Sequence, residues 1–339
     1  MSPAHGMLRV LAIVVFAAAG CSAPPAPPTP ADAMPPIGQR LPRRGEEIVV
    51  AGQLFHAGTP VVLWTDPGGY DAYRVERRFG PAAEAGWEAI AKSPGGPASP
   101  NRYGQRRAGL TDAEIERLRG GGWDLPALVR VVDQIVIHYD AAGTSRRCFR
   151  VLHDRRGLSA HFLIDLDGTV YQTLDVKERA WHATKANDRS VGIEIAHVGA
   201  FADPAAPLLS QWYARDAEGL RITVPGETGF RVRDFVPRPA RAELITGEIH
   251  GRRLHQYDFT PQQYEALARL TAALCRVLPG IRPDAPRDAA GRVIARKLTD
   301  AEFAAHRGLL GHYHVQADKV DPGPAFDWER LLAALRRGG

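Results

Sequence analysis

Two distant stretches of the chain carry side chains that could act together on a metal ion. Val131 to Tyr139 is an apolar run with His138 near its end. A strand of that composition delivers its last side chains to a rim where loops converge. Far downstream, Gly311-His312-Tyr313-His314 is followed by Lys319-Val320-Asp321-Pro322-Gly323-Pro324. His312 and Asp321 stand nine residues apart across a loop. With His138 they could supply two imidazoles and one carboxylate. Such a set leaves a fourth tetrahedral position for water, as catalytic zinc sites do. His314 rivals His312, and spacing alone does not separate the two. Taken singly, a histidine at a strand end is more often a hydrogen-bonded structural residue. His56, His153, His250, His255 and His306 have no partner pattern. No His-Glu-x-x-His sequence occurs, so a zinc peptidase of that kind has no support.

These residues need elements to hold them. Val131 to Tyr139 reads as a buried strand and Thr144 to Arg156 as a helix. His161 to Asp165 and Thr169 to Leu174 flank Asp167-Gly168, which predicts a hairpin. Val191 to Ala196 reads as another short strand. Thr260, Pro261 and Gln263 open a helix with a capping box, and Tyr264, Leu267, Leu270, Leu274 and Leu278 form its apolar face. Further helices are predicted from Thr299, with Glu302 as box partner, and from about Asp327. Residues 200–257 lack clear periodicity and read as a long insertion. Upstream, residues 45–130 hold strand-like stretches at Ile48 to Val50 and Val61 to Trp64, and a capping box of Thr111 and Glu114. They read as an N-terminal extension packed on the following domain. The fold class expected is α/β: a central mixed β-sheet flanked by helices, in a single domain.

The chain has 339 residues, 45% of them apolar, and a net charge of +5. The basic pairs Arg77-Arg78, Arg106-Arg107, Arg146-Arg147 and Arg252-Arg253 are scattered, without aromatic interleaving. They read as solvated surface, and no nucleic-acid partner is expected. Val10 to Ala19 is too short to span a bilayer and fits a signal-peptide core. It ends in Ala18-Ala19-Gly20-Cys21, which resembles a lipobox, although Ala18 stands where Leu is commonest. Residues 1–21 are therefore read as a lipoprotein signal peptide with lipidation at Cys21. The Pro-rich residues 22–44 read as a tether. Ser22 is not an inner-membrane Asp signal, so a periplasmic protein anchored to the outer membrane is expected. Cys148 and Cys275 could pair in an oxidising compartment, but lone Cys in apolar helices are more often simply buried.

The chain from about 131 to 336 resembles the type-2 N-acetylmuramoyl-L-alanine amidases, relatives of phage T7-type lysozyme amidases and of peptidoglycan recognition proteins, so residues 131–339 are read as a zinc amidase domain. The matching motifs are Ile137-His138-Tyr139, Leu158-Ser159-Ala160-His161-Phe162, Asp167-Gly168-Thr169-Val170-Tyr171-Gln172, Ala180-Trp181-His182-Ala183, Val191-Gly192-Ile193-Glu194, Gly311-His312 and Lys319-x-Asp321-Pro322-Gly323. The resemblance implies zinc held by His138, His312 and Asp321. It implies a general acid or base at Glu194 and a cationic oxyanion stabiliser at Lys319. His161, His182 and Trp181 are expected to line a cleft for peptidoglycan or muropeptide. Some members carry Tyr before the His-Phe pair; Ala160 stands there here, so the proton chemistry should fall on Glu194. The implied reaction is hydrolysis of the amide between N-acetylmuramic acid and L-alanine, by a monomer. The alternative is a recognition module that binds muropeptides without cutting them.

Overall fold

The computed structural model describes Met1, residues 36–120 and residues 122–338. Cys21 and the rest of the signal segment lie outside the described residues except for Met1, as does most of the Pro-rich tether. The chain divides into two units, Met1–Pro42 and Arg43–Gly339. In the first, residues 36–42 are exposed, with a turn in which Gln39 N–H donates to the Pro36 carbonyl at 3.0 Å.

In the second unit a hairpin of β1 (Glu47–Val50) and β2 (Gln53–His56) leads to β3 (Val61–Leu63). After the short helix α1 (Trp87–Ala91) come β4 (Tyr103–Gln105), α2 (Asp112–Leu118) and α3 (Leu125–Val131). Then follow β5 (Gln134–Tyr139), α4 (Ser145–Phe149) with a π-helical continuation over Arg150–Arg156, β6 (Phe162–Ile164), β7 (Val170–Gln172), β8 (Glu178–Ala180) and β9 (Ser190–Ile195). The remaining elements are α5 (Pro207–Trp212), β10 (Tyr213–Asp216), β11 (Gly219–Ile222), β12 (Ile245–Ile249), β13 (Arg252–Gln256), α6 (Pro261–Val277), α7 (Asp300–Ala305), β14 (Gly308–Gly311), α8 (His312–Val315) and α9 (Trp328–Gly338).

The central sheet is mixed, as the sequence predicts, with strand order β14-β5-β9-β6-β7-β3. β14, β5, β9 and β6 run parallel; β6 and β7 form the antiparallel hairpin expected at Asp167-Gly168. Gly168 has φ +82°, the left-handed conformation such a turn needs. Strand alternation sorts the two faces. Ile135, Ile137, Ile193 and Phe162 join one core with Leu267, Leu270 and Leu274 of α6 and Leu331, Leu332 and Leu335 of α9. Each such buried side chain contributes about 1.5–3 kcal/mol. α6 begins where the sequence places it: Thr260 and Gln263 cap one another, with Pro261 at the first position. On the opposite face, Val136 and Leu310 pack with Ala183, Ala186 and Phe303. His138 and Glu194 are in step with Val136 and Gly192 and so project to that second face.

Two expectations gain detail and one needs correction. The segment upstream of 131 does more than pack on the domain, because β3 pairs in parallel with β7 and forms an edge of the central sheet. The insertion holds α5 and the hairpins β10–β11 and β12–β13. Their strands are short and half-exposed, so they lack a clean apolar alternation. Finally, Arg106 is not solvated surface but fully buried. It donates to the carbonyls of Val176, Asn187, Asp188 and Ser190 at 2.9–3.2 Å, which replaces its hydration. Cys148 and Cys275 are free thiols.

Candidate metal centre

Parallel strands bring their carboxyl ends to one rim. β5 pairs with β9 so that His138 lies opposite Glu194, and β14 ends with Gly311 beside Ile137. His312 opens α8 at that point, one step beyond the sheet. The loop after α8 turns back, and Tyr313 N–H donates to the Asp321 carbonyl at 3.2 Å. His138 Nδ1, His312 Nδ1 and Asp321 Oδ2 thereby form a triangle with all three sides 3.0 Å. Among the described residues these three make the one cluster able to hold a metal ion.

The surrounding hydrogen bonds show what the triangle is. His312 Nε2 donates to Gln316 Oε1 at 2.9 Å, an oxygen that also accepts from Thr184 Oγ1 at 3.4 Å. A neutral imidazole with its proton on Nε2 presents a bare lone pair at Nδ1. Asp321 adds a carboxylate oxygen, Oδ2, 3.0 Å from both ring nitrogens. Burial, with His312 close by, pulls His138 down to about 4, so its ring is neutral at pH 7. Electron pairs converging at 3.0 Å repel one another unless a cation lies among them. Two imidazole nitrogens and a carboxylate oxygen at this spacing suit zinc, whose ligands lie about 2.0–2.2 Å away.

The triangle opens on a cavity of about 480 Å³ lined also by Trp181, His182, Glu194, Lys319 and Arg156. Glu194 is 8% exposed, and its Oε2 has no hydrogen-bond partner. Burial, reinforced by Asp321 and Asp140, raises its pKa well above the ordinary carboxylate value. Lys319 lines the same cavity, with Nζ 3.7 Å from Asp318. The structure thus brings His138, His312, Asp321, Glu194, Lys319, Trp181 and His182 together.

It separates two others. His161 is fully buried behind the wall, accepting from Gly192 N–H at Nδ1 and donating to the Glu178 carbonyl from Nε2, both at 3.0 Å. His314 has both nitrogens engaged: Gly311 N–H donates to Nδ1 at 2.8 Å, and Nε2 donates to the Ile294 carbonyl at 2.6 Å. It is His312, not His314, that faces Asp321. Sequence reasoning missed Asp140 and Arg156 on the cavity wall; neither stands in a motif that marks it.

Fold and site together are a mixed sheet with a buried cluster of two histidines and one carboxylate at its rim. A family model for N-acetylmuramoyl-L-alanine amidases (Amidase_2) matches residues 128–324, more than half of the chain. The chain belongs to that family and is an N-acetylmuramoyl-L-alanine amidase. No curated protein matches it. Among solved structures, a selenomethionine derivative of AmpD is 20% identical, with 69% of this chain and 89% of that one covered and a TM-score of 0.32. AmiD from E. coli, in complex with the substrate anhydro-N-acetylmuramic acid-L-Ala-D-γ-Glu-L-Lys, is 18% identical over 69% of this chain and 65% of that one, with a TM-score of 0.35. AmpDh3 from Pseudomonas aeruginosa, in complex with an anhydromuramic pentapeptide, is 18% identical over 60% and 59%, with a TM-score of 0.34.

Proposed function

We propose that the chain hydrolyses the amide between N-acetylmuramic acid and L-alanine in peptidoglycan or muropeptides, with zinc held by His138, His312 and Asp321. The observation that carries this reading is the 3.0 Å triangle of lone-pair donors at the floor of an open cavity. Zinc bound there supplies a Lewis acid for the amide carbonyl and lowers the pKa of water toward about 7.

The chain's own groups do the rest. Glu194, on the cavity wall beside the triangle, would take a proton from water and pass one to the leaving nitrogen of L-alanine. Burial beside Asp321 and Asp140 favours its protonated form, the form that donates to a leaving amine. The Lys319 ammonium meets charge that develops on the carbonyl oxygen in the transition state. Trp181 offers an apolar wall on which the muropeptide rests. A complete ligand set with a buried carboxyl beside it favours catalysis over mere recognition.

The test is metal analysis of the purified chain followed by digestion of purified muropeptides, with products identified by mass spectrometry. About one zinc per chain, a free N-terminal L-alanine and an unsubstituted lactyl carboxylate are expected. A zinc-loaded protein that binds muropeptide and releases no L-alanine peptide overturns the catalytic reading. New amino termini inside the peptide mean an endopeptidase.

The Ala-Ala-Gly-Cys run supports lipidation at Cys21, and Ser22 after it supports tethering to the periplasmic side of the outer membrane by residues 22–44. The full-length chain should fractionate with outer membranes, and Cys21→Ala should release it. Recovery of the wild type as soluble protein with another N-terminus rejects the anchor.

A further inference from the structure

The imidazole of His138 is wired to groups that the metal reading leaves unused. His138 Nε2 lies 3.0 Å from His182 Nδ1, and His182 Nε2 lies 3.3 Å from Ser190 Oγ. Ser190 is fully buried and its one hydroxyl proton is committed, because Oγ donates to the Ala186 carbonyl at 2.7 Å. A hydroxyl whose proton is spent can only accept from the second neighbour. His182 must therefore carry its proton on Nε2 and leave Nδ1 bare. That bare nitrogen can only accept from His138 Nε2–H, which leaves His138 Nδ1 bare and facing His312 and Asp321.

The chain Ala186 carbonyl, Ser190 hydroxyl, His182, His138 thus runs in one direction, from a backbone acceptor that cannot be reversed. Its parts are held independently. Asn187 Oδ1 accepts the backbone N–H groups of His182 and Ala183 at 3.2 and 2.7 Å. A Cβ at Gly192 would come within 2.7 Å of the His182 ring, so that glycine makes room for it. Arg106, from the N-terminal segment, grips the carbonyls of Asn187, Asp188 and Ser190.

We infer that His182 and Ser190 are positioning residues that fix the Nε2–H tautomer of His138 and so present its Nδ1 to the metal. The inference rests on the zinc reading above and assigns His182 to the metal side of the wall, rather than to substrate. Such outer partners, when removed, typically weaken metal binding about 10–100-fold.

The experiment measures zinc affinity of the purified chain by competition with a chromophoric chelator, beside steady-state kinetics on a muropeptide. His182→Leu should bind zinc about 10–100-fold more weakly. His182→Asn, whose amide oxygen stands about where Nδ1 stood, should recover most of that loss. Ser190→Ala should lose up to about tenfold, because the unpaired His182 ring can then reverse its tautomer. In the wild type, ¹⁵N NMR of the histidine rings needs no variant: the proton is expected on Nε2 of both His138 and His182. Zinc affinity in His182→Leu equal to wild type, with only KM raised, overturns the inference and returns His182 to substrate binding. A ring proton on His182 Nδ1 overturns it also. A wild type that takes up no zinc at all instead removes the metal reading on which it depends.

Discussion

The two sides of the metal centre stand on different foundations. His138 and Glu194 belong to β5 and β9, each of which has a hydrogen-bonded strand on both sides. Their positions follow from a ladder of parallel pairing. His312, Lys319 and Asp321 belong to a four-residue helix and a loop outside the sheet. That side is held by the hairpin β12–β13 of the insertion. The fully buried Gln256 donates from Nε2 to the Pro322 carbonyl and accepts from Ala325 N–H at Oε1, both at 3.0 Å. His250 Nε2 donates to the Lys319 carbonyl at 2.9 Å. A Cβ at Gly247 would lie 2.8 Å from Pro324 Cβ, so this hairpin and the ligand loop are in close contact. The insertion is therefore part of the site's scaffold: His138 is placed by the sheet and His312 directly follows β14, whereas the loop that carries Lys319 and Asp321 is held by a segment whose sequence shows no periodicity.

The largest effect expected ignores the difference. His138→Ala and Asp321→Ala should each lose zinc to an ordinary chelator and abolish hydrolysis, because two ligands do not hold the ion as three do. His314→Ala should keep its zinc. Loss of zinc from His314→Ala with retention in His312→Ala would move the ligand assignment. Next, Glu194→Gln should keep zinc and muropeptide binding while turnover falls about 10²–10⁴-fold, the usual worth of a positioned acid or base. A rate within a few-fold of wild type removes Glu194 from the chemistry.

The comparison itself is sharpened by two core substitutions. Gln256→Ala strips partners from a buried carbonyl and a buried N–H, and should cost about 2–4 kcal/mol of stability. It should also weaken zinc binding, since the loop carrying Asp321 is freed. Ile137→Val, one residue before a ligand but inside the sheet, should cost about 0.5–1.5 kcal/mol and leave zinc affinity unchanged. Equal zinc affinities for the two variants would show that the loop holds itself and that the insertion is dispensable.

The sheet side was legible in the sequence, and the loop side only in part. His138 and Glu194 end short apolar runs whose composition announces a strand, and Thr260-Pro261 announces α6. His312 and Asp321 were found through a short motif. What holds them was not found, for a physical reason. Gln256 is satisfied by backbone groups 66 and 69 residues away, and Arg106 by carbonyls 70 to 84 residues away. A side chain bonded to distant main chain leaves no periodicity and no partner residue type to search for. The same blindness made Arg106 one of a surface pair and His161 a cleft residue. Ser190 is an ordinary strand residue until its committed proton is seen.

The smallest effect concerns the ring that joins the two foundations. His197 lies just past β9 and is buried. Its Nδ1 accepts from Gly199 N–H at 2.8 Å, and its Nε2 donates to the carbonyl of Tyr257, at the end of the insertion, at 3.0 Å. An imidazole that must accept at one nitrogen has to be neutral, and burial lowers its pKa to about 4. In the unfolded chain the same ring titrates near 6.5. Between these values the unfolded state binds the extra proton, so this ring's contribution to stability falls as pH falls from about 6.5 to about 4. Buried Asp140, raised by burial to about 7, acts in the opposite sense, because the folded state then binds the extra proton. The net slope of the wild type is thus a balance, and the informative quantity is a difference. His197→Asn keeps an acceptor near Nδ1 and removes the titration. Its stability deficit against wild type, read from urea unfolding, should be greatest above pH 7 and shrink by at most about 3 kcal/mol on going to pH 4. A deficit that does not change with pH would mean that the ring titrates in the fold as it does in the unfolded chain, and one that grows toward pH 4 that it is protonated in the fold; either result removes the neutral imidazole from the contact between β9 and the insertion.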